Sequence, residues 1–124
     1  MDGEISAEDL KVLLDADEDV TIVDIRSRLA YDHGHIPGSV SIPFAELTRR
    51  VDELEGANRV VTVCPHGKAS VQAARLIGSY EGFSGVVESL APGIDNWPYG
   101  VESGGGEGAG AKADGGDEGP SAPF

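Results

Sequence analysis

An α/β fold built on a mostly parallel sheet is predicted by three observations. Short β-branched runs alternate with helix-patterned segments along residues 1–102. The strongest runs, at residues 20–25 and 60–63, are apolar almost throughout, as strands covered on both faces are. Their polar followers Asp24, Arg26 and Cys64 fall at the C-terminal ends, where sheets of this class form their sites.

The elements follow in order. Ser6 and Asp9 make a capping box, with Ser6 accepting the Asp9 N–H and Asp9 reaching back. Leu10, Leu13 and Leu14 then form the i, i+3, i+4 stripe of a first helix. Residues 20–25 form a strand. Residues 27–33 read as a short helix stopped at Gly34, and residues 35–38 must turn because Pro37 and Gly38 break either regular structure. A short strand over 39–42 precedes a helical pattern over 44–53, which sets Leu47 and Val51 on one face and Glu46, Arg49 and Arg50 on the other. Residues 60–63 are the most hydrophobic strand. Residues 69–80 are the strongest helix, carrying Val71, Ala74, Leu76 and Ile77. A strand over 85–88 and a short helix over 94–97, ended by Pro98, complete the series.

A length of 124 residues with 40% hydrophobic content suits one domain with a modest core, expected over residues 1–102. Residues 103–124 hold eight glycines and one large apolar residue, too little to offset the entropy of ordering. They are expected to be a disordered Gly-rich acidic tail, either merely solvated or serving as a tether. No stretch approaches the length of a membrane span, and the opening residues are acidic where a secretory signal is basic, so a cytoplasmic location is expected.

The formal net charge is -13, from 22 acidic and 9 basic residues. That field repels nucleic-acid phosphates and anionic membranes, so neither is an expected partner. Only Lys11, Lys68 and Lys112 are lysines. Such a balance suits a protein bathed in concentrated salt, where self-repulsion is screened, although an acidic protein from an ordinary cytoplasm remains the alternative.

Cys64 is the only cysteine, so no internal disulfide can form. It sits where the 60–63 strand meets a compact turn and then the 69–80 helix. A strand-to-helix turn aims unpaired N–H groups and the positive end of a helix dipole at one point. A thiol exposed there gives up its proton easily, and the thiolate is the reactive species. The competing reading is a buried structural cysteine acting as a small apolar side chain.

Four segments in register resemble the single-domain rhodanese-like sulfurtransferases. They are Val23, Asp24, Ile25 and Arg26; Tyr31 with residues 34–39, Ile42 and Pro43; residues 64–70; and Leu90 with Gly93 and Trp97. The resemblance implies a three-layer fold with a five-stranded, mostly parallel central sheet flanked by helices. It also implies transfer of a sulfane sulfur through a Cys64 persulfide, with thiosulfate or a persulfide as donor and cyanide or another thiol as acceptor. No cofactor is implied. The alternative is a non-catalytic or carrier module that docks to a partner or relays sulfur in tRNA or cofactor thiolation.

Within this resemblance the binding loop is Pro65, His66, Gly67, Lys68, Ala69 and Ser70. Many members carry an arginine where this chain has Ala69, so Lys68 supplies the cation, a point charge without the guanidinium fork. Pro92 stands where the family usually has the first of two glycines. Cysteine-dependent phosphatases and arsenate reductases need an arginine at the position of Ser70 to clamp a tetrahedral oxyanion, which argues against that chemistry. His66 either stabilises bound anion or is exposed without a specific role. Asp24 and Arg26 are expected to pair and brace the cysteine loop, and His35 to fix its own turn by hydrogen bonding. His33 and His35 lack the partners that would complete a metal shell, so no metal is expected. Trp97 is read as a core anchor.

Overall fold

The computed structural model describes residues 2–104. Five strands, β1 (Asp2–Ile5), β2 (Thr21–Asp24), β3 (Val40–Ser41), β4 (Arg59–Val63) and β5 (Val86–Leu90), form one sheet in the order β1-β5-β4-β2-β3. Every pairing is parallel. The helices are α1 (Ala7–Asp15), α2 (Arg28–His33), α3 (Leu47–Arg50) and α4 (Ala69–Ser79). The expected tail lies outside the described residues from position 105 onward.

β4 is central because it is apolar on both sides. Val60 and Cys64 join one buried cluster with Val23, Leu47, Ala73, Ala74 and Ile77, beneath α3 and α4. Val61 and Val63 join the opposite cluster with Ile5, Leu10, Ile36, Leu90 and Trp97, beneath α1. The period-two alternation of a strand produces this division. Thr62 therefore shares the α4 face with Cys64. Ser89 lies opposite Thr62 in the β4–β5 register, on that same face.

The start of α1 forms half of the expected capping box: the Asp9 N–H donates to Ser6 Oγ at 3.0 Å, while no return bond from the Ser6 N–H to the Asp9 carboxylate occurs among the described residues. Ser27 caps α2 in the same way through the Ala30 N–H. The helical stretch over 44–53 is broken: a 3₁₀ turn at Phe44–Glu46 leads into α3, and another at Val51–Leu54 follows. Leu47, Val51 and Leu54 are all buried, at spacings of four and then three, which an α turn tightening into a 3₁₀ turn accommodates. The expected helix over 94–97 is likewise a 3₁₀ turn, Ile94–Asn96.

Two strand expectations change. β5 runs to Leu90 rather than Glu88, which draws Ser89 into the sheet. β1 carried no sequence signal, because only Ile5 among its four residues is a large apolar one. It forms as an edge strand paired with β5 from Asp2 opposite Val87 to Ile5 opposite Leu90. Beyond β5 the chain returns to α2: His35 and Glu102 form an antiparallel bridge, and the Gly104 N–H donates to Asp32 O at 2.8 Å.

Among the described residues no helix is long and apolar enough to cross a membrane.

Candidate active site

Cys64 leaves the C-terminal end of β4, and the chain reverses through residues 65–68 into α4. The cap position of α4, Lys68, offers no side-chain acceptor to the free N–H groups of the first turn. Cys64 Sγ fills that role, accepting from the Ser70 N–H at 3.3 Å and from the Gly67 N–H at 3.1 Å. Ser70 Oγ lies 3.3 Å from the same sulfur.

The sulfur is not displayed on the surface as the sequence suggested. Cys64 is 2% exposed, while Pro65, His66, Lys68 and Ala69 form an exposed rim above it. The turn folds over the thiol because its N–H groups converge on the sulfur and so hold it inside the loop. Burial pushes the Cys64 thiol up. The Ser70 hydroxyl and the N–H groups of Ser70, His66 and Gly67 more than offset this, and its pKa lies below the ordinary thiol value.

The loop charges are divided. His66 Nε2 lies 3.6 Å from Asp95 Oδ2, so a protonated ring is countered by a carboxylate, and His66 reaches the sulfur's field through its backbone N–H. Lys68 is exposed and makes no ion pair among the described residues.

The brace of the cysteine loop comes from the turn after β5. The Ile94 N–H donates to Cys64 O at 2.9 Å and the Asp95 N–H to Pro65 O at 3.1 Å. Two glycines let these backbones interlock. Gly67 has φ +81° and a Cβ there would sit 2.1 Å from Ala91 O, while Gly93 has φ +78° and its Cβ would sit 2.2 Å from Pro65 O.

Asp24 and Arg26 do pair, at 2.8 Å, but they serve a different turn. Arg26 Nη2 also donates to Gly34 O at 2.6 Å, and no hydrogen bond from either side chain reaches residues 64–70. The expected brace on the cysteine loop is thus a brace on the Gly34 turn, because a bidentate arginine held by Asp24 points its remaining donor across to α2's end. His35 fixes that turn from within. It is buried, stacked on Tyr31 at 3.8 Å, and donates from Nδ1 to Tyr31 O at 2.7 Å, with Nε2 lying 3.4 Å from Glu102. Its neighbour His33 is exposed, and no cluster of three potential metal ligands occurs among the described residues. Trp97 is buried and donates to Gly100 O at 2.9 Å.

Two residues that the sequence reading passed over hold Ser70 from below. Thr62 Oγ1 donates to Ser70 O at 2.7 Å, and Ser89 Oγ lies 2.6 Å from Ser70 Oγ. The signal for Thr62 was available: a polar residue two positions before Cys64 in an otherwise apolar strand must share its face.

The arrangement can stabilise negative charge on one sulfur atom. Preformed N–H donors aimed at it need no reorganisation when charge develops.

The chain is similar in sequence and shape to several known proteins. YrkF of Bacillus subtilis (strain 168), named for a sulfur-carrier role, is 37% identical over 94 residues, which cover 76% of this chain and 50% of YrkF. The thiosulfate sulfurtransferase GlpE of Pseudoalteromonas translucida (strain TAC 125) is 38% identical over 80 residues, covering 64% of this chain and 74% of that protein. The crystal structure of a thiosulfate sulfurtransferase from Pseudomonas aeruginosa superposes with a TM-score of 0.72 at 30% identity, over 82% of this chain and 20% of that one. The chain thus spans half of YrkF and a fifth of the Pseudomonas aeruginosa protein. The sequence pattern of the rhodanese-like domain matches residues 6–98, which takes in the cysteine loop, the strand and helix that flank it and the turn that braces it, and the chain belongs to the rhodanese-like domain family.

Proposed function

We propose that the protein is a sulfurtransferase that carries a sulfane sulfur on Cys64. The observation that carries this reading is the cradle of Gly67 N–H, Ser70 N–H and Ser70 Oγ around a single sulfur with a lowered pKa. In the first step the Cys64 thiolate attacks the outer sulfur of thiosulfate. The bond to the inner sulfur breaks, its electron pair leaves with sulfite, and a Cys64 persulfide remains. An acceptor thiolate or cyanide then attacks the terminal sulfur and releases the Cys64 thiolate. Only a terminal sulfur atom must enter the loop, which suits a thiol so deeply set.

A second reading is supported by the 37% identity to YrkF: the domain relays sulfur to a partner protein rather than to a small acceptor. Both readings need the persulfide. Mass spectrometry after incubation with thiosulfate is expected to find an added mass of about 32 Da on the Cys64 peptide, removed by cyanide as thiocyanate. An unmodified Cys64 would overturn both. A persulfide that forms but passes only to protein thiols would favour the relay.

The free charge of Lys68 at the rim suits capture of an anionic donor. Lys68→Ala is expected to weaken thiosulfate saturation about threefold, an ordinary size for an exposed charge, and to leave an uncharged sulfane-sulfur donor unaffected. The effect should shrink as salt is added. Equal losses for both donors would show that Lys68 recognises no charge.

A further inference from the structure

We propose that Ser89 is a positioning residue for Cys64, acting through the Ser70 hydroxyl so that the two serines together favour an anionic sulfur. Ser70 and Ser89 are fully buried, 0% exposed, and their oxygens lie 2.6 Å apart. Ser70 Oγ is also 3.3 Å from Cys64 Sγ. Ser89 Oγ has no other hydrogen-bond partner among the described residues. Thr62, its cross-strand neighbour, spends its hydroxyl hydrogen on the Ser70 and Glu88 carbonyls instead.

The inference comes from counting hydrogens along this row of three atoms. With Cys64 as a thiol there are three hydrogens, on Sγ, Ser70 Oγ and Ser89 Oγ, and only two gaps between atoms in which a hydrogen bond can form. One hydrogen lacks an acceptor whichever way the hydroxyls point. Loss of the thiol proton to solvent leaves two hydrogens for two gaps: Ser89 donates to Ser70, and Ser70 donates to the sulfur. Both bonds are then oriented toward the charge and polarise one another, while a buried donor without an acceptor is costly. Ser89 thus touches no reacting atom, yet it frees Ser70 to act as a donor to sulfur.

The titratable groups around the loop are His66 and Lys68 on its rim, Asp95 after β5, Arg75 on α4 and the Asp24–Arg26 pair after β2. None hydrogen-bonds Sγ through its side chain, and all are kept in the variants below. The inference rests on Cys64 acting as a thiolate, so its test reads the thiolate without requiring sulfur transfer. Cys64 is the sole cysteine, and its alkylation by iodoacetamide as a function of pH reports its ionisation directly.

Ser89→Ala is expected to move the midpoint of that profile upward. Alkylation below the midpoint should slow about threefold, with no change at pH values above both midpoints. Ser70→Ala should slow it about tenfold, since it removes the direct donor. Adding Ser89→Ala to Ser70→Ala should shift the profile no further. An unmoved midpoint in Ser89→Ala, or an equal shift with Ser70 already absent, would overturn the proposal. A shifted profile in a protein that forms no persulfide would uphold it while removing the sulfurtransferase reading.

Discussion

Cys64→Ser is expected to lower sulfur transfer from thiosulfate to cyanide by at least about a thousandfold while leaving the fold in place. A serine hydroxyl is not ionised in the working pH range and its oxygen cannot carry a persulfide. The fold should tolerate the change although the site is 2% exposed and part of an apolar cluster. A buried hydroxyl is costly only when it lacks partners, and the Gly67 N–H, Ser70 N–H and Ser70 Oγ already stand around the sulfur. A thermal midpoint within about 5 °C of the parent is expected. Transfer near the parent rate would remove Cys64 from the chemistry.

The same variant tests the lowered thiol pKa. The folded thiol loses its proton at a lower pH than the unfolded one, so the unfolded chain binds more protons between the two values. Stability from this group is complete above the ordinary thiol value and is lost as pH falls through the lowered one. The parent's stability relative to Cys64→Ser should therefore rise with pH across that window and stay flat below it. A difference that narrowed with rising pH would show the shift to have the opposite sign.

How much was legible in the sequence depended on whether local pattern or distant partners fixed each feature. Ser6 and Asp9 announced the start of α1 because a cap is a contact three residues long. β4 and α4 were plain from their apolar patterns, and these two elements place Cys64. β1 was not legible as a strand, since its four residues gain their order from pairing with β5, more than eighty positions away. The partner of Arg26 was misjudged for a similar reason. Its pairing with Asp24 is local, but whether the remaining donor faces Gly34 or the cysteine loop depends on how α2 packs. Cysteine burial was also misread, because a strand-to-helix turn can either present a side chain or close over it. Here the interlock of residues 64–67 with residues 91–95 closes it. Of the expected loop residues, His66, Gly67 and Ser70 aim N–H groups at the sulfur, but the serine and threonine hydroxyls beneath it come from β4 and β5, and only the register between those strands brings Ser89 beside Ser70.

Gly67→Ala should be, with Gly93→Ala, among the most damaging single methyls that can be added to the described loops. Two costs combine there. At φ +81° an alanine is in the left-handed region, which costs about 1–2 kcal/mol by itself. The added Cβ would also lie 2.1 Å from Ala91 O, a backbone atom of the turn that holds the cysteine loop, so neither side can swing away as a side chain would. Relieving such an overlap by moving backbone costs a further ~1–3 kcal/mol. Gly38 separates the two costs, since its φ is +85° and nothing lies within 4 Å of its Cβ position. Gly38→Ala should lose only the first, about 1–2 kcal/mol, and keep full persulfide formation. Gly67→Ala should lose about 2–5 kcal/mol, a large share of a small domain's stability. Moving Gly67 also moves its N–H off the sulfur, so persulfide formation in the fraction still folded should fall about a hundredfold, as a displacement of about 1 Å does in a preorganised site. Thermal melts and single-turnover mass spectrometry on the two variants would check this. If Gly67→Ala matched Gly38→Ala in both measurements, the interlock between the cysteine loop and the turn after β5 would not be what holds the cradle closed.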